Sequence, residues 1–176
     1  MARPEVEFDP RQIFEALRRR EVRFVLIGGL AAQALGSAML TKDTDICYDR
    51  ADDNIVRLAA AIDDLRGSLR GPPRNLHVDV EKQTSITADH FFYDTEFGPL
   101  YCLGTPRGSR GYRELMANAI QLDLQCQPLY VSCLNDLIRM MRASDSLEDN
   151  VALEELGGLR DHIEVQPDDW VWKSGP

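Results

Sequence analysis

The chain is short of positive charge. Its 20 Lys and Arg are outnumbered by 29 Asp and Glu, which leaves a formal charge of −9. So acidic a balance argues against the basic groove by which proteins hold duplex nucleic acid through its phosphates. It leaves open phosphate chemistry in which divalent cations stand between an acidic site and a polyanion. Cysteine is scarce and scattered: Cys47, Cys102, Cys126 and Cys133 form no Cys-x-x-Cys pair, so neither a disulfide framework nor a zinc knuckle is expected. Each lies among Ile, Leu, Tyr or Val and reads as a small buried hydrophobe. The three histidines, His77, His90 and His162, have no i, i+4 pairing and no Cys partner at ligand spacing, so they read as satisfied or surface residues.

Long apolar runs are lacking as well. The longest, residues 24–40, is interrupted by Gly28, Gly29, Gln33, Gly36 and Ser37 and falls short of the roughly 20 residues needed to cross a bilayer. No apolar stretch follows the Arg-containing start, so the expectation is a reducing cytoplasm and no membrane span. Repeats, low-complexity segments, a Walker-type loop, a Gly-x-Ser-x-Gly elbow and a dinucleotide fingerprint are all missing.

What remains is 176 residues, 44% of them apolar, enough for one sizeable core. The expected organisation is a single domain over residues 1–160 and a tail, 161–176, without periodicity. Ile13, Phe14 and Leu17 predict a first helix capped by Asp9 and ending in three arginines. Residues 22–27 (VRFVLI) read as a strand running into Gly28, Gly29 and a helix. Residues 44–48 read as a second strand, and residues 52–65 as a helix behind an aspartate cap. Residues 67–73 read as turn, 76–80 as a short strand, and 90–94 with 98–103 as a hairpin. A second hairpin joins 122–124 to 129–131 across 125–128, with Pro128 on an edge. Ser132 opens a helix over Leu134 to Met141, and residues 147–159 supply a last one ended by Gly157 and Gly158. The fold class is α/β (α+β): a mixed sheet flanked by helices, with helices at the C-terminal end.

The segment that carries chemistry is residues 24–48. A strand entering two glycines at a helix start lets backbone amides approach an anion closely. After thirteen residues comes Asp43, Thr44, Asp45, and residues i and i+2 of a strand share a face, so both carboxylates can converge on a hard cation. Lys42 is a further phosphate candidate, although its place beside the pair suits a solvated surface lysine better.

In these residues the chain resembles the nucleotidyltransferase superfamily, whose signature is a hydrophobic strand, Gly-Gly or Gly-Ser, and a later pair of alternating aspartates. It is most similar to the bacterial branch that includes nucleotidyltransferase-like toxins of abortive-infection and type IV toxin-antitoxin systems. Ile27, Gly28, Gly29, Leu30, Ala31 and Ala32 match one part of that pattern, and Thr41 to Ile46 match the other. Thr95, Gly98 and Leu100, then Gly111, Tyr112 and Leu115, then Leu134, Asp136, Leu137, Ile138 and Met140 extend the likeness over roughly residues 12–160.

The resemblance implies transfer of a nucleoside monophosphate from a nucleoside triphosphate to an acceptor that the sequence does not identify. It makes Asp43 and Asp45 the catalytic metal ligands for Mg2+ in a two-metal site. Gly28, Gly29 and Lys42 become the nucleotide contacts.

The chain also departs from the pattern. Where the resemblance implies a third carboxylate it has Tyr101, and an implied lysine is Met141. A following Arg and Lys are Ser146 and Glu148, and of that last motif Asp149 alone is kept. Asp79, Asp94 or Glu96 could supply the missing acid, and Arg139 or Arg142 the missing cation. Two functions therefore stand side by side: a metal-dependent nucleotidyltransferase of weak activity, or an impaired relative that binds a nucleotide or a partner protein.

Overall fold

The computed structural model describes residues 7–70, 89–124, 127–144 and 156–158. The strand expected at 76–80, the tail, most of the last helix, and Asp79, His77, His162, Cys126, Ser146, Glu148 and Asp149 lie outside them.

Helix α1 (Pro10–Arg19) opens as its sequence dictates, with the Asp9 carboxylate accepting from the Arg11 amide and proline in the first turn. Its apolar stripe buries Ile13, Ala16 and Leu17. Strand β1 (Phe24–Ile27) is shorter than expected, because the Val22 amide donates back to Leu17 O and the Arg23 amide to Asn54 Oδ1. Helix α2 (Gly28–Ala34) starts on the first glycine itself. Strand β2 (Thr44–Tyr48) follows, then α3 (Asp52–Asp64). The α3 cap corrects the sequence reading: it is Ala51, whose side chain makes no capping bond, while Asp52 and Asp53 lie in the first turn and favour the positive end of the helix dipole.

The segment read as turn at 67–73 contains a two-residue strand, β3 (Ser68–Leu69). The hairpin of β4 (His90–Thr95) and β5 (Gly98–Leu103) is as expected, tightened by Thr95, whose hydroxyl donates to Gly98 O and accepts from the Phe97 amide. Helix α4 (Tyr112–Asn118) leads to β6 (Ile120–Leu124) and β7 (Gln127–Val131). Pro128 lies within β7 opposite Asp123 rather than in the connection. It is tolerated because β7 pairs with β1 only at Val131, so no ladder needs an amide at residue 128 on that side. Helix α5 (Leu134–Ala143) is capped by Cys133, not Ser132, and no side chain caps it.

The seven strands form one mixed sheet in the order β3-β4-β5-β2-β1-β7-β6. β1 lies antiparallel to β2 and parallel to β7, and β2 lies parallel to β5. Paired residues share a face, so Leu26, Ile46 and Cys102 form one row, all buried. Phe14 of α1 stacks on Phe24 at the same face, and α1 packs against α3 there. The alternate row, Ile27, Asp45 and Tyr101, looks out from the other face, against which α2 packs. Polar Asp45 is therefore not a misplaced core residue. It stands on the face where the site is built.

Asn54 of α3 joins helix to sheet from a fully buried position. Its Oδ1 accepts from the Arg23 amide, and its Nδ2 donates to Arg23 O and Asp49 O. No helix among the described residues is long and apolar enough to cross a membrane.

Candidate functional site

The Gly-Gly pair and the Asp-x-Asp pair meet because β1 and β2 are antiparallel neighbours, with Ile27 opposite Asp45. The chain leaves β1 at Gly28 with φ 68°, a conformation that L side chains rarely adopt. A Cβ on Gly28 would come within 2.2 Å of Asp45 Oδ2, and one on Gly29 within 2.8 Å of Thr41 Cβ. Both glycines are thus required by the closeness of the β2 entrance to the start of α2, a steric demand separate from any contact with phosphate.

Asp43 precedes β2 by one residue, and its Oδ1 accepts a hydrogen bond from the Thr41 hydroxyl. Thr44, between the two acids, faces the core and is fully buried. Asp43 and Asp45 line one cleft of about 560 Å³ together with Gly28, Gly29 and Thr41. The two glycines and the two aspartates thus stand in one cleft, with Thr41 as a further residue of its lining. Lys42 is exposed and lies outside the cleft lining.

The same cleft is lined by apolar Leu137, Met140 and Met141 of α5. The position where the resemblance implies a lysine is therefore in the cleft and uncharged. Arg139 does not compensate: it pairs with Glu114 at 3.2 Å and with buried Asp136 at 2.9 Å, and Arg142 is also outside the lining. Asp136 additionally accepts from Asn118 Nδ2, so this acid of α5 holds the end of α4 in place.

Two lining residues carry chemistry that the sequence reading missed. Arg107, in the loop between β5 and α4, is exposed and has no ion pair among the described residues. The loop is seated on α5, where a Cβ on Gly108 would come within 2.7 Å of Arg139 O. His90 lines the cleft from β4, with Nε2 3.2 Å from Thr105 O. No spacing links either residue to the aspartates; the β4-β5 pairing and the loop bring them in.

Tyr101 pairs directly with Asp45 across β2 and β5, so the position implied for a third acid is adjacent to the other two and holds a phenol. Burial pushes its pKa up, Arg70 opposes this, and Asp43, Asp45 and Asp94 push further up. Of the three acids suggested as substitutes, Asp79 lies outside the described residues, and neither Asp94 nor Glu96 is in the cleft lining. Asp94 is engaged by Arg70, and Glu96 by Arg66 at 2.9 Å. Among the described residues no three acidic, histidine or cysteine side chains form a metal cluster. Asp43 and Asp45 are still a donor set suited to one hard divalent cation, which takes one or two carboxylates and completes its shell with water and phosphate. Of the four cysteines expected to be buried, two are so, Cys133 is only partly buried and Cys126 lies outside the described residues. Cys47 and Cys102 are buried, and burial raises the Cys47 thiol to about 12.

No protein-family model and no curated protein matches the chain. Solved structures do share its architecture. The lincosamide antibiotic adenylyltransferase LnuA, lincomycin-bound, superposes with a TM-score of 0.58 at 10% identity, over 87% of this chain and 99% of that one. The antibiotic-resistance factor ANT(2'')-Ia in solution gives 0.52 at 13% identity, over 89% and 90%. ANT(2'')-Ia in complex with adenylyl-2''-tobramycin gives 0.50 at 13%, over 89% and 95%. The fold is that of the nucleotidyltransferases. In this chain the end of β1, the glycine turn and the alternating acids line a cleft together with apolar Leu137, Met140 and Met141.

Proposed function

We propose that the protein is a nucleotidyltransferase-like enzyme that moves a nucleoside monophosphate from a nucleoside triphosphate to a separate acceptor. The observation that carries this reading is the close approach of Asp45 to Gly28 on the wall of a 560 Å³ cleft, with Asp43 and Thr41 beside them. The fold shared with the lincosamide antibiotic adenylyltransferase LnuA, and with ANT(2'')-Ia as solved in complex with adenylyl-2''-tobramycin, supports it.

Asp43 and Asp45 would hold Mg2+, which when bound polarises a phosphoryl oxygen and eases ionisation of the attacking hydroxyl. Thr41 fixes the Asp43 carboxylate by hydrogen bonding to it, so one acid is oriented before any ligand arrives. Gly28 and Gly29 present bare backbone to the cleft, where a triphosphate can approach without meeting a side chain. Arg107, at the rim and without a partner among the described residues, is placed to meet a phosphate. Leu137, Met140 and Met141 in the lining give an apolar surface for a base or an acceptor ring.

The deciding experiment is calorimetry with Mg2+ and each nucleoside triphosphate. Binding that weakens at least about tenfold in Asp43→Asn, with the circular dichroism spectrum unchanged, is the expected result. Absent binding, and an Asp43→Asn protein identical to the parent, would exclude the reading. Met141 in the cleft favours a second one, a nucleotide-binding module without turnover. Transfer of label from a triphosphate to any acceptor would exclude that alternative.

A further inference from the structure

The face that carries Asp45 continues outward across the sheet. Asp45 pairs with Tyr101 on β5, and Tyr101 pairs with Phe92 on β4, with Asp94 two residues along on the same side. Arg70, just past β3, reaches back over this row. Its Nη1 donates to the Tyr101 hydroxyl at 2.9 Å, and its Nε donates to Asp94 Oδ1 at 2.9 Å. The same Asp94 oxygen also accepts from Nη2. The guanidinium carbon lies 5.9 Å from the Tyr101 ring centroid, and Phe92 meets that ring edge-on at 4.9 Å. The phenol is therefore held by a hydrogen bond, a cation over its ring and an aromatic edge.

We propose that the site takes one divalent cation rather than two, and that Tyr101, fixed by Arg70 and Asp94, closes the second position. The proposal rests on the reading in which Asp43 and Asp45 bind a metal. Two carboxylates balance the charge of one dication. A second dication beside Asp45 on the β5 side would need another carboxylate there, and it meets instead the Tyr101 hydroxyl, a poor ligand for a hard ion and already engaged by Arg70. It would also stand next to a guanidinium whose position Asp94 has already set. Arg70 puts a fixed positive charge on that side of the site and retains N–H donors not used by Tyr101 or Asp94.

The test uses Mn2+ as the probe, with the full chain and a non-hydrolysable triphosphate analogue. Calorimetry gives the number of ions, and electron paramagnetic resonance separates an isolated ion from a coupled pair. The expected count is one ion per chain, without coupling, lost in Asp45→Asn and raised to two in Tyr101→Asp. Two coupled ions in the unmodified chain overturn this proposal and leave the proposed function standing. Neither ion nor nucleotide bound overturns the function and this proposal with it. A folded Tyr101→Asp protein that still holds one ion overturns the role given to Tyr101. The count on the unmodified chain decides between one ion and two even where the variant fails to fold.

Discussion

Gly28 lies against the carboxylate of Asp45, so closely that a methyl group at residue 28 would fall within 2.2 Å of Oδ2. The glycine is also at φ 68°, so substitution adds backbone strain to the clash. Gly28→Ala is expected to destabilise the protein by about 2–5 kcal/mol, from about 1–2 for the left-handed backbone and about 1–3 for overpacking. Urea denaturation measures it. Gly29→Ala, which meets Thr41 Cβ at 2.8 Å without a positive φ, should lose less, about 1–3 kcal/mol. A Gly28→Ala protein as stable as the parent would show that the β2 entrance is not held against α2 in solution.

Thr41 and Asp43 form the second test. The Thr41 hydroxyl donates to Asp43 Oδ1, and the side chain packs where a Gly29 Cβ would be. Thr41→Val keeps that packing and removes the donor. Thermal stability should change by less than about 1 kcal/mol, while Mn2+ affinity should fall by about tenfold, the usual effect of losing a bond that orients a ligand. Isothermal titration separates the two. An unchanged affinity would mean that Asp43 needs no orientation from Thr41.

How much of this could be read beforehand depends on the range of the interactions. The glycine turn, the alternating acids and the β4-β5 hairpin are written in residues close in sequence, where periods of two and of three to four survive as patterns. Tyr101 was already visible as the odd residue beside a Gly-x-Leu. That it neighbours Asp45 follows from a parallel pairing of strands far apart in the chain. Arg107 and His90 entered the cleft unannounced for the same reason. Ser132 and Asp52 looked like helix caps because of their residue types, but the backbone starts each helix a position away. Arg139 looked free to face the cleft, and two acids that it meets only in the folded chain hold it elsewhere.

Asn54 had no local signature either, yet it occupies a position of high structural demand. It satisfies the amide and carbonyl of Arg23 and the carbonyl of Asp49 from a fully buried site. Asn54→Ala should destabilise by about 2–4 kcal/mol, since each unpaired buried group costs about 1–3. Asn54→Asp should be at least as harmful, because a carboxylate would then face two carbonyl oxygens. Guanidinium melts of both variants check the order. If Asp is tolerated better than Ala, the amide donors are not essential.

Acid sensitivity should follow the arginine pairs on the surface. The Arg23 guanidinium donates to both oxygens of Asp53 and holds its carboxyl at about 2, below the ordinary 3.8. A depressed folded pKa contributes stability that is fully present above the unfolded value and lost as pH falls through the folded one. The window is therefore about pH 4 to 2. Asp9, Glu15 and Asp64 are shifted the same way by Arg11, Arg18 and Arg20 and add to the slope. The melting temperature of the parent should drop through this window, and Asp53→Asn should show a shallower drop with a lower plateau near pH 6. Parallel curves would mean that the Arg23 pair does not differ between folded and unfolded chains.

Thr44 separates the two acids of the site, and its Oγ1 is buried without a hydrogen-bond partner among the described residues. A buried hydroxyl left unpaired is a liability of about 1–3 kcal/mol, whereas the valine methyl that replaces it has nothing to lose by burial. Valine also favours an extended strand as much as threonine does. Thr44→Val is therefore expected to stabilise the protein by about 1 kcal/mol, a rise of about 2–4 °C for a chain of this size. Because residue 44 faces the core while residues 43 and 45 belong to the site, Mn2+ affinity should not move. A drop in melting temperature would show that the hydroxyl is satisfied in the folded chain. A change in affinity with unchanged stability would show that β2 does not keep its two faces independent, the property on which the separation of core from site depends.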